Sequence, residues 1–195
     1  MKCLVCERFS WNVICKDCLS SIPLTPRHRI LTDSIKVYSF YRYEDVALLM
    51  QSKYHLIGSR ILALLAQKAA QYFFAQSAEI LESLHNTALI GLDDYPYNAY
   101  SHNGVIIKAF AQQSKGVFKA YYGVLKAQNN VKYAGESLQF RRDNPKGFVL
   151  QKALKTPHLV LLDDIITTGT SLNEAINVLS EYHIAFCLTL CDARE

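Results

Sequence analysis

The chain has 195 residues, of which half are hydrophobic, and a formal net charge of +4. This length and composition suit one ordinary domain with a real core and a small appendage, and the mild charge permits an anionic partner without requiring one. No apolar stretch is long enough to predict a transmembrane helix and no signal-peptide pattern is visible, so we expect a reducing, cytoplasmic setting.

Two Cys-x-x-Cys pairs open the chain. Four thiolates at this spacing can form the closed tetrahedron of a structural zinc site. A segment as short as 1–22 buries too little surface to fold alone, so the metal would supply its folding energy. We therefore predict a zinc-binding module over residues 1–22 and a main domain over 30–195. The predicted zinc ligands are Cys3, Cys6, Cys15 and Cys18.

Disulfide bonds and a thioredoxin-like redox pair are the alternatives to zinc for these cysteines. Disulfide bonds fit poorly because nothing marks the chain for secretion. A redox pair usually stands alone, near a βαβ pattern, rather than doubled. Two further cysteines, Cys187 and Cys191, lie in an apolar run, so we predict that they are core residues.

A linker and three elements are predicted after the cysteines. Residues 20–29 carry two prolines and a basic tail, which mark a boundary. Residues 35–43 are β-branched and aromatic, which predicts a strand. Helices are predicted over 44–54 and 57–75, the second with a clear apolar face.

Two apolar runs with polar residues at their carboxyl ends predict a binding crevice. Residues 88–92 are followed by Asp93 and Asp94, and a helix is expected to begin near Asn103. Residues 158–162 form the second run, which also leads through a turn into a helix. Two neighbouring parallel strands of this kind leave a crevice between the loops at their carboxyl ends.

Residues 124–146 carry basic side chains among polar residues. Two interpretations stay open, a mobile basic segment and a solvated surface loop. The basic residues considered as ligand contacts are Lys126, Arg141 and Arg142. The last elements predicted are a helix near 171–182 and a strand over 184–190.

The most informative stretch, 158–171, runs from an apolar strand through two acids into a threonine-rich turn. The head of the following helix offers free N–H groups and a partial positive charge, which suit a phosphate. The acids, Asp163 and Asp164, would repel a phosphate but suit a sugar diol. The residues considered for phosphate binding are Ile165, Ile166, Thr167, Thr168, Gly169 and Thr170. The stretch thus predicts recognition of a sugar phosphate; an ordinary strand–turn–helix with a capping threonine is the alternative.

This stretch resembles the phosphoribosyl pyrophosphate (PRPP) motif of type I phosphoribosyltransferases. With the four cysteines ahead of it, the whole chain resembles the ComF family, whose members are typically linked to natural transformation. Weaker similarities are Lys53 after the first helix, and Arg141-x-x-Asn144 ahead of Gly147-Phe148.

The resemblance implies an α/β fold, a phosphoribosyltransferase-like parallel sheet with flanking helices, preceded by the four-cysteine module. It implies that Asp163 and Asp164 are the catalytic residues and hold the ribose hydroxyls directly or through Mg²⁺, while the turn anchors the 5′-phosphate of PRPP or a related ribose phosphate. Lys126 or Arg141 could close over the diphosphate.

The family resemblance also implies a role in the uptake and handling of single-stranded DNA. Its expected partners are competence proteins such as a helicase or a membrane channel, and its expected place is cytoplasmic, peripheral to the inner membrane. A catalytically active phosphoribosyltransferase of nucleotide metabolism or salvage is the alternative.

One loop departs from the family pattern. Leu92, Asp93 and Asp94 stand where the family usually has Pro-Val-Pro, in the loop that normally cradles pyrophosphate. Two carboxylates there would repel a diphosphate unless magnesium bridges them. We expect Asp93 and Asp94 to face solvent instead. Residues 101–104, Ser-His-Asn-Gly, likewise replace the usual Arg-Gly-Phe-Asn.

Overall fold

The structure, a computed structural model, describes residues 1–77, 84, 86–95 and 100–194, without the side chain of residue 33. Its strands, in chain order, are β1 (Arg27–Ile30), β2 (Lys36–Arg42), β3 (Thr87–Asp93), β4 (Phe118–Ala127), β5 (Phe148–Leu150), β6 (His158–Ile166) and β7 (His183–Asp192). Its helices are α1 (Lys16–Ser21), α2 (Tyr43–Gln51), α3 (Gly58–Gln76), α4 (His102–Gln113), α5 (Leu138–Asp143) and α6 (Thr170–Val178).

The described strands form one sheet in the order β1-β2-β7-β6-β3-β4-β5. The five central strands are parallel, and β1 and β5 pair antiparallel at the two edges. This arrangement confirms the prediction of an α/β sheet preceded by a four-cysteine segment. It also confirms that the strands predicted at 88–92 and 158–162 are parallel neighbours, because Ala88 pairs with Leu159 and Gly91 with Leu162.

Both faces of the sheet are covered, which explains the continuous apolar runs. In β6, Leu159 and Leu161 enter one apolar cluster, whereas Val160 and Leu162 enter the other. Successive side chains of a strand point to opposite faces, so a strand buried on both faces needs an unbroken apolar sequence. Helices α3 and α4 cover one face and α6 covers the other.

An aromatic cluster fills the face under α3 and α4. Phe40, Phe73, Phe110 and Phe186 lie with ring centroids 5.6–6.3 Å apart where they contact one another. Tilted and edge-to-face pairs at such distances add to the hydrophobic stabilisation of the core. Core packing thus accounts for part of the aromatic content of the chain. Cys187 and Cys191 are buried, which confirms their placement in the core.

The cysteine segment packs against the same core. Cys3, Val13 and Ile14 are buried in the cluster that contains Phe40. From α3, the Lys68 ammonium donates hydrogen bonds to the carbonyls of Leu19 (2.8 Å), Ser20 (3.1 Å) and Ile22 (2.6 Å). These contacts tie the end of α1 to α3. The division of the chain into residues 1–22 and 30–195 stays a prediction.

Two regions differ from the sequence predictions. Strand β1, Arg27–Ile30, overlaps the end of the linker predicted over 20–29 and pairs with β2. Residues 124–127 belong to β4, and Arg141 is buried, so neither a mobile segment nor a solvated loop describes 124–146 as a whole. Strand β4 has exposed and buried residues without strict alternation, which hid it from pattern analysis.

The bounds of β6 and α6 also differ from their predictions. Strand β6 extends to Ile166, so both acids lie within the strand rather than after it. Helix α6 ends at Val178, four residues before the predicted end at 182.

Candidate functional site

The candidate site lies where the carboxyl ends of β3 and β6 meet the head of α4. The side-chain amide of Asn103, on α4, donates to the carbonyl of Leu92 (2.6 Å) and to Oδ1 of Asp163 (3.3 Å). This amide therefore links the two strand ends. Gly91 makes the approach possible, because a Cβ there would lie 2.8 Å from the Cβ of Asn103.

The threonine-rich turn after β6 lies next to these strand ends and forms another side of the candidate site. Gly169 has a φ of 82°, in the left-handed region that favours glycine, and α6 begins at the next residue. The hydroxyls of Thr168 and Thr170 lie 2.8 Å apart. The Arg141 guanidinium donates to the hydroxyl of Thr167 and, at 3.4 Å, to that of Thr168. A buried positive charge thus stands directly on the predicted phosphate turn.

The two acids of β6 have opposite electrostatic surroundings. Burial and the charge of Asp164 raise the pKa of Asp163 to about 7. Burial acts in the same direction on Asp164, but the Lys53 ammonium, 2.5 Å from Oδ2, outweighs it and lowers the pKa of Asp164. Near neutral pH, Asp164 is therefore ionised and stabilised by a lysine from the turn after α2, whereas Asp163 is only partly ionised.

A second lysine neutralises the loop after β3. The Lys146 ammonium forms an ion pair with Asp94. Although burial opposes its charge, Asp94 and Asp163 raise the pKa of Lys146. Asp93 accepts a hydrogen bond from the Ser101 hydroxyl (2.5 Å), and burial raises the pKa of Asp93.

The expectation that both acids of this loop face solvent therefore needs correction. The Asp94 side chain is 48% exposed but is held by Lys146, whereas Asp93 is half-buried. Leu92 is buried in the sheet core. Residues 96–99, which follow this loop, lie outside the described residues.

The candidate basic residues do not all belong to the site. Lys126 lies on β4 opposite Asp93 in the strand register, at the rim of the loop. Arg142 is exposed on α5, and among the described residues no contact joins it to the site. Sequence reasoning gave no role to Lys146, and the pairing of Lys53 with Asp164 spans 111 positions of sequence, so no local pattern could indicate it.

The acids, lysines and turn line one cavity of about 350 Å³. That volume falls within the usual range for small-molecule sites, about 300–1,000 Å³. Its lining includes Lys53, Asp94, Arg141, Lys146, Asp163, Asp164 and Thr167. The cavity therefore offers cations, carboxylates and hydroxyls to one ligand.

The four cysteines form a separate cluster whose sulfur atoms all lie within 4.8 Å of one another. The sulfur atoms of Cys6 and Cys15 are 3.7 Å apart. A tetrahedral zinc site with Zn–S bonds of about 2.3 Å needs S–S separations of about 3.8 Å. The four cysteines could therefore bind zinc with little rearrangement.

The surroundings of Cys3 and Cys6 favour thiolates, whereas hydrogen bonds with Cys15 and Cys6 raise the pKa of Cys18 to about 12. The backbone N–H groups of Cys15 and Val5 donate to the Cys3 sulfur at 3.2 and 3.4 Å. Led by the bond from Cys15, these contacts lower the pKa of Cys3 to about 6. The Arg8 guanidinium, 3.4 Å away, lowers the pKa of Cys6. Thiolates are the form that binds metal, so the lowered pKa values of Cys3 and Cys6 suit a role as zinc ligands.

No protein-family model and no curated protein matches the chain. Among solved structures, a Staphylococcus aureus hypoxanthine phosphoribosyltransferase matches in two crystal forms with 12% identity and TM-scores of 0.41 and 0.43. The match covers 67% of this chain and 64% of that chain. The orotate phosphoribosyltransferase of Aeropyrum pernix matches with 14% identity and a TM-score of 0.39, over 87% of this chain and 75% of that chain.

The chain therefore spans 64% of the length of the hypoxanthine phosphoribosyltransferase that it matches. Likenesses of this strength carry no argument about activity, which must come from the residues of the site. In the described part of the chain, no helix is both long and apolar enough to cross a membrane.

We predict opposite effects on stability for substitutions of the two neighbouring acids. The folded-state pKa of Asp163 is raised above its unfolded value of about 4, so its titration weakens the fold as the pH rises from about 4 to about 7. Asp163→Asn should therefore be more stable than the wild type at pH 8, and the advantage should disappear towards pH 4. Urea unfolding across this range measures the difference.

Asp164→Asn is the matched comparison, and it should lower the stability of the protein at pH 8 where Asp163→Asn raises it. The pKa of Asp164 is lowered, so its contribution exists at neutral pH and is lost on acidification. At pH 8, its replacement leaves Lys53 as a buried charge without its partner, which costs about 3–5 kcal/mol. Effects of the same sign for both variants at pH 8 would contradict this electrostatic account.

We predict that the purified protein contains one zinc ion per chain, bound by the four cysteines. Cys15→Ser should lower the zinc content because it removes one of four ligands. Cys191→Ala should keep the zinc, since Cys191 lies in the core and outside the cluster. Metal analysis by mass spectrometry measures both. Equal zinc content in the two variants would place the metal elsewhere.

Proposed function

We propose that the protein binds a phosphorylated ribose, with PRPP as the expected ligand, in the cavity at the carboxyl ends of β3 and β6. One observation carries the proposal. The Asp163–Asp164 pair lies directly beside a helix-heading turn of threonines on which the Arg141 guanidinium rests. Carboxylates suit sugar hydroxyls, whereas N–H groups, hydroxyls and a guanidinium suit a phosphate.

Each part of the ligand has a corresponding part of the site in this proposal. The residues Ile165–Thr170 hold the 5′-phosphate, and Arg141 exchanges its hydroxyl partners for phosphate oxygens. Asp163 and Asp164 hold the ribose hydroxyls. Lys53 and Lys146 already lie beside these acids, and both could neutralise a diphosphate at C1. Lys126 stands at the rim and is a further candidate contact.

Magnesium fits the site only together with the ligand. Asp163, Asp164 and Asp94 offer the carboxylate oxygens that Mg²⁺ prefers. Two of these acids are already paired with lysines, and among the described residues only the cysteines form an assembled set of metal ligands. We therefore expect Mg²⁺ to arrive with the diphosphate, where it would neutralise the leaving group.

Transfer of the phosphoribosyl group is the catalytic form of this proposal. The site would then act through positioning and fixed charge, with Asp163 and Asp164 as its catalytic residues. A phosphoribosyltransferase of nucleotide metabolism or salvage is thus the alternative to a binding protein. Pyrophosphate release from PRPP in the presence of an acceptor distinguishes the two.

A role in handling single-stranded DNA, as in the ComF family, is the second candidate. It is favoured by two aromatic rings on the cysteine module, Trp11 (88% exposed) and Phe9 (72% exposed). Their centroids lie 5.6 Å apart, and Lys2 and Arg8 are exposed nearby in sequence. Exposed aromatic rings beside cations are the usual elements of single-strand binding. Competence proteins such as a helicase or a membrane channel, and a cytoplasmic place beside the inner membrane, belong to the same proposal.

Titration calorimetry with PRPP and Mg²⁺ tests the first proposal. Arg141→Met should weaken binding by about 1.5–3 kcal/mol, because it removes a charged donor from the phosphate turn. Arg142→Met is the matched control, since Arg142 is exposed on the same helix and should leave the affinity unchanged. Melting temperatures separate lost binding from lost folding, and Asp164→Asn tests the ribose contact independently. Unchanged affinity in both Arg141→Met and Asp164→Asn would refute the assignment.

Fluorescence tests the second proposal, because Trp11 is the only tryptophan of the chain. An oligo-dT strand should quench its emission, and binding should weaken steeply with salt. In anisotropy measurements with a labelled strand, Trp11→Ala should cost about 1–3 kcal/mol. Leu48→Ala, which removes an exposed apolar side chain on α2, is the control. Binding without quenching would place the strand on another surface.

A further inference from the structure

Glu174 is a charged side chain that none of the roles proposed above uses. It lies on the second turn of α6. Its carboxylate accepts hydrogen bonds from three successive backbone N–H groups, those of Lys146 (3.1 Å), Gly147 (2.6 Å) and Phe148 (3.3 Å). Hydrogen bonds to an ionised acceptor are about twice as strong as those between neutral groups. Glu174 therefore ties the 145–147 segment, which leads into β5, to α6.

The backbone of the 145–147 segment is shaped to receive a carboxylate. Gly147 has a φ of 64°, and a left-handed residue lets successive N–H groups form a concave site for an anion. The residues just after β4 hold the same segment. The N–H groups of Gln128 and Asn129 donate to the carbonyl of Lys146 (3.1 and 2.9 Å), and the Asn129 amide donates to that of Pro145 (2.9 Å). The segment is thus fixed between β4 and α6.

Fixing this backbone also fixes the side chain of Lys146. That side chain is 13% exposed, and its ammonium is paired with Asp94. The ammonium also lies 5.5 Å from the ring centroid of Tyr133 and 5.9 Å from that of Phe148, within the range of cation–π contacts. A lysine side chain is flexible, so its ammonium stays in one place only where its backbone and its neighbours are held. Glu174 holds the backbone N–H groups of both Lys146 and Phe148.

One helix therefore carries the turn proposed for the 5′-phosphate and the carboxylate that holds Lys146. Gly169 of the turn is the N-cap of α6, and Glu174 follows one helical turn later. A helix rises by about 1.5 Å per residue, so the separation of the two groups is set within a single regular element. A ligand that reaches both the turn and Lys146 must carry its two anionic groups at a matching separation.

We propose that Glu174 is a positioning residue, which holds Lys146 at a set distance from the phosphate turn and so selects a ribose 5-phosphate with a diphosphate at C1 over one without it. Glu174 is not among the described residues that line the cavity, so it acts through the backbone of the 145–147 segment rather than on the ligand. The inference rests on the proposed function, because it explains how that same site distinguishes PRPP from ribose 5-phosphate.

Titration calorimetry of the full-length protein with PRPP and with ribose 5-phosphate, both with Mg²⁺, tests the proposal. Glu174→Ala should weaken PRPP binding about tenfold, because the Lys146 ammonium loses its fixed position. Glu174→Gln keeps one acceptor oxygen but turns an amide N–H₂ group towards backbone donors, so its loss should be smaller. The affinity for ribose 5-phosphate should stay that of the wild type. Equal losses for the two ligands would overturn the proposal, since general damage to α6 weakens both.

Lys146→Met shows whether Glu174 acts through that lysine. In the Lys146→Met background, Glu174→Ala should cause little further loss of PRPP affinity, because the group that Glu174 positions is gone. Additive losses would contradict the proposal. Glu181→Gln replaces an exposed glutamate beyond the end of α6, and this control should bind both ligands like the wild type. Melting curves identify variants that do not fold, and Glu174→Gln carries the comparison if Glu174→Ala is one of them.

The wild type separates this proposal from the proposed function. Equal affinities for PRPP and ribose 5-phosphate leave the site for a phosphorylated ribose intact but refute the selection that Glu174 is proposed to support. Tighter binding of PRPP that Glu174→Ala leaves unchanged refutes the role of Glu174 alone. No binding of either ligand refutes both the proposed function and this inference.

Discussion

The burial of adjacent carboxylates at the end of β6 is the constraint on which the site depends. Two neighbouring acids in a low-dielectric surrounding cannot both remain charged without a cation. Lys53 supplies that cation for Asp164, and Lys146 does so for Asp94 across the crevice. The position of the turn after α2 and that of the segment before β5 are thereby fixed by charge as well as by packing.

The same charge balance determines what a ligand must bring. A sugar that displaces Lys53 from Asp164 leaves a buried ammonium, which is costly unless a negative group replaces the carboxylate. A diphosphate at C1 provides that group, and it would also meet Lys146. The ligand-free site is therefore balanced internally, and a ligand that carries both hydroxyls and phosphates can preserve the balance. A simple sugar lacks the negative group that the lysines need, and a simple anion lacks the hydroxyls that suit the carboxylates.

The sequence predicts those parts of the molecule that depend on local patterns. The apolar runs of β3 and β6 and the spacing of the cysteines each have a local physical cause, and each is found as expected. The pairing of Lys53 with Asp164, the burial of Arg141 and strand β4 were not predictable in this way. They depend on contacts between distant segments, and the alternation in β4 is broken where its register with β3 shifts, near Gly123, which has a φ of 63°.

The strand that follows the cysteine module also reaches the phosphate turn. Arg29 of β1 donates a hydrogen bond to the carbonyl of Thr167 and forms an ion pair with Asp192 of β7, which is fully buried. Burial would raise the pKa of Asp192, but hydrogen bonds from Arg29 and Arg194 outweigh it and hold that pKa well below its usual range. Leu31, just after β1, lies close to Gly169. A Cβ added to Gly169 would be only 2.8 Å from the Cδ2 atom of Leu31. A metal ion bound at the cysteines would order the segment that leads into β1, and it would then also bear on the shape of the turn that would hold the phosphate.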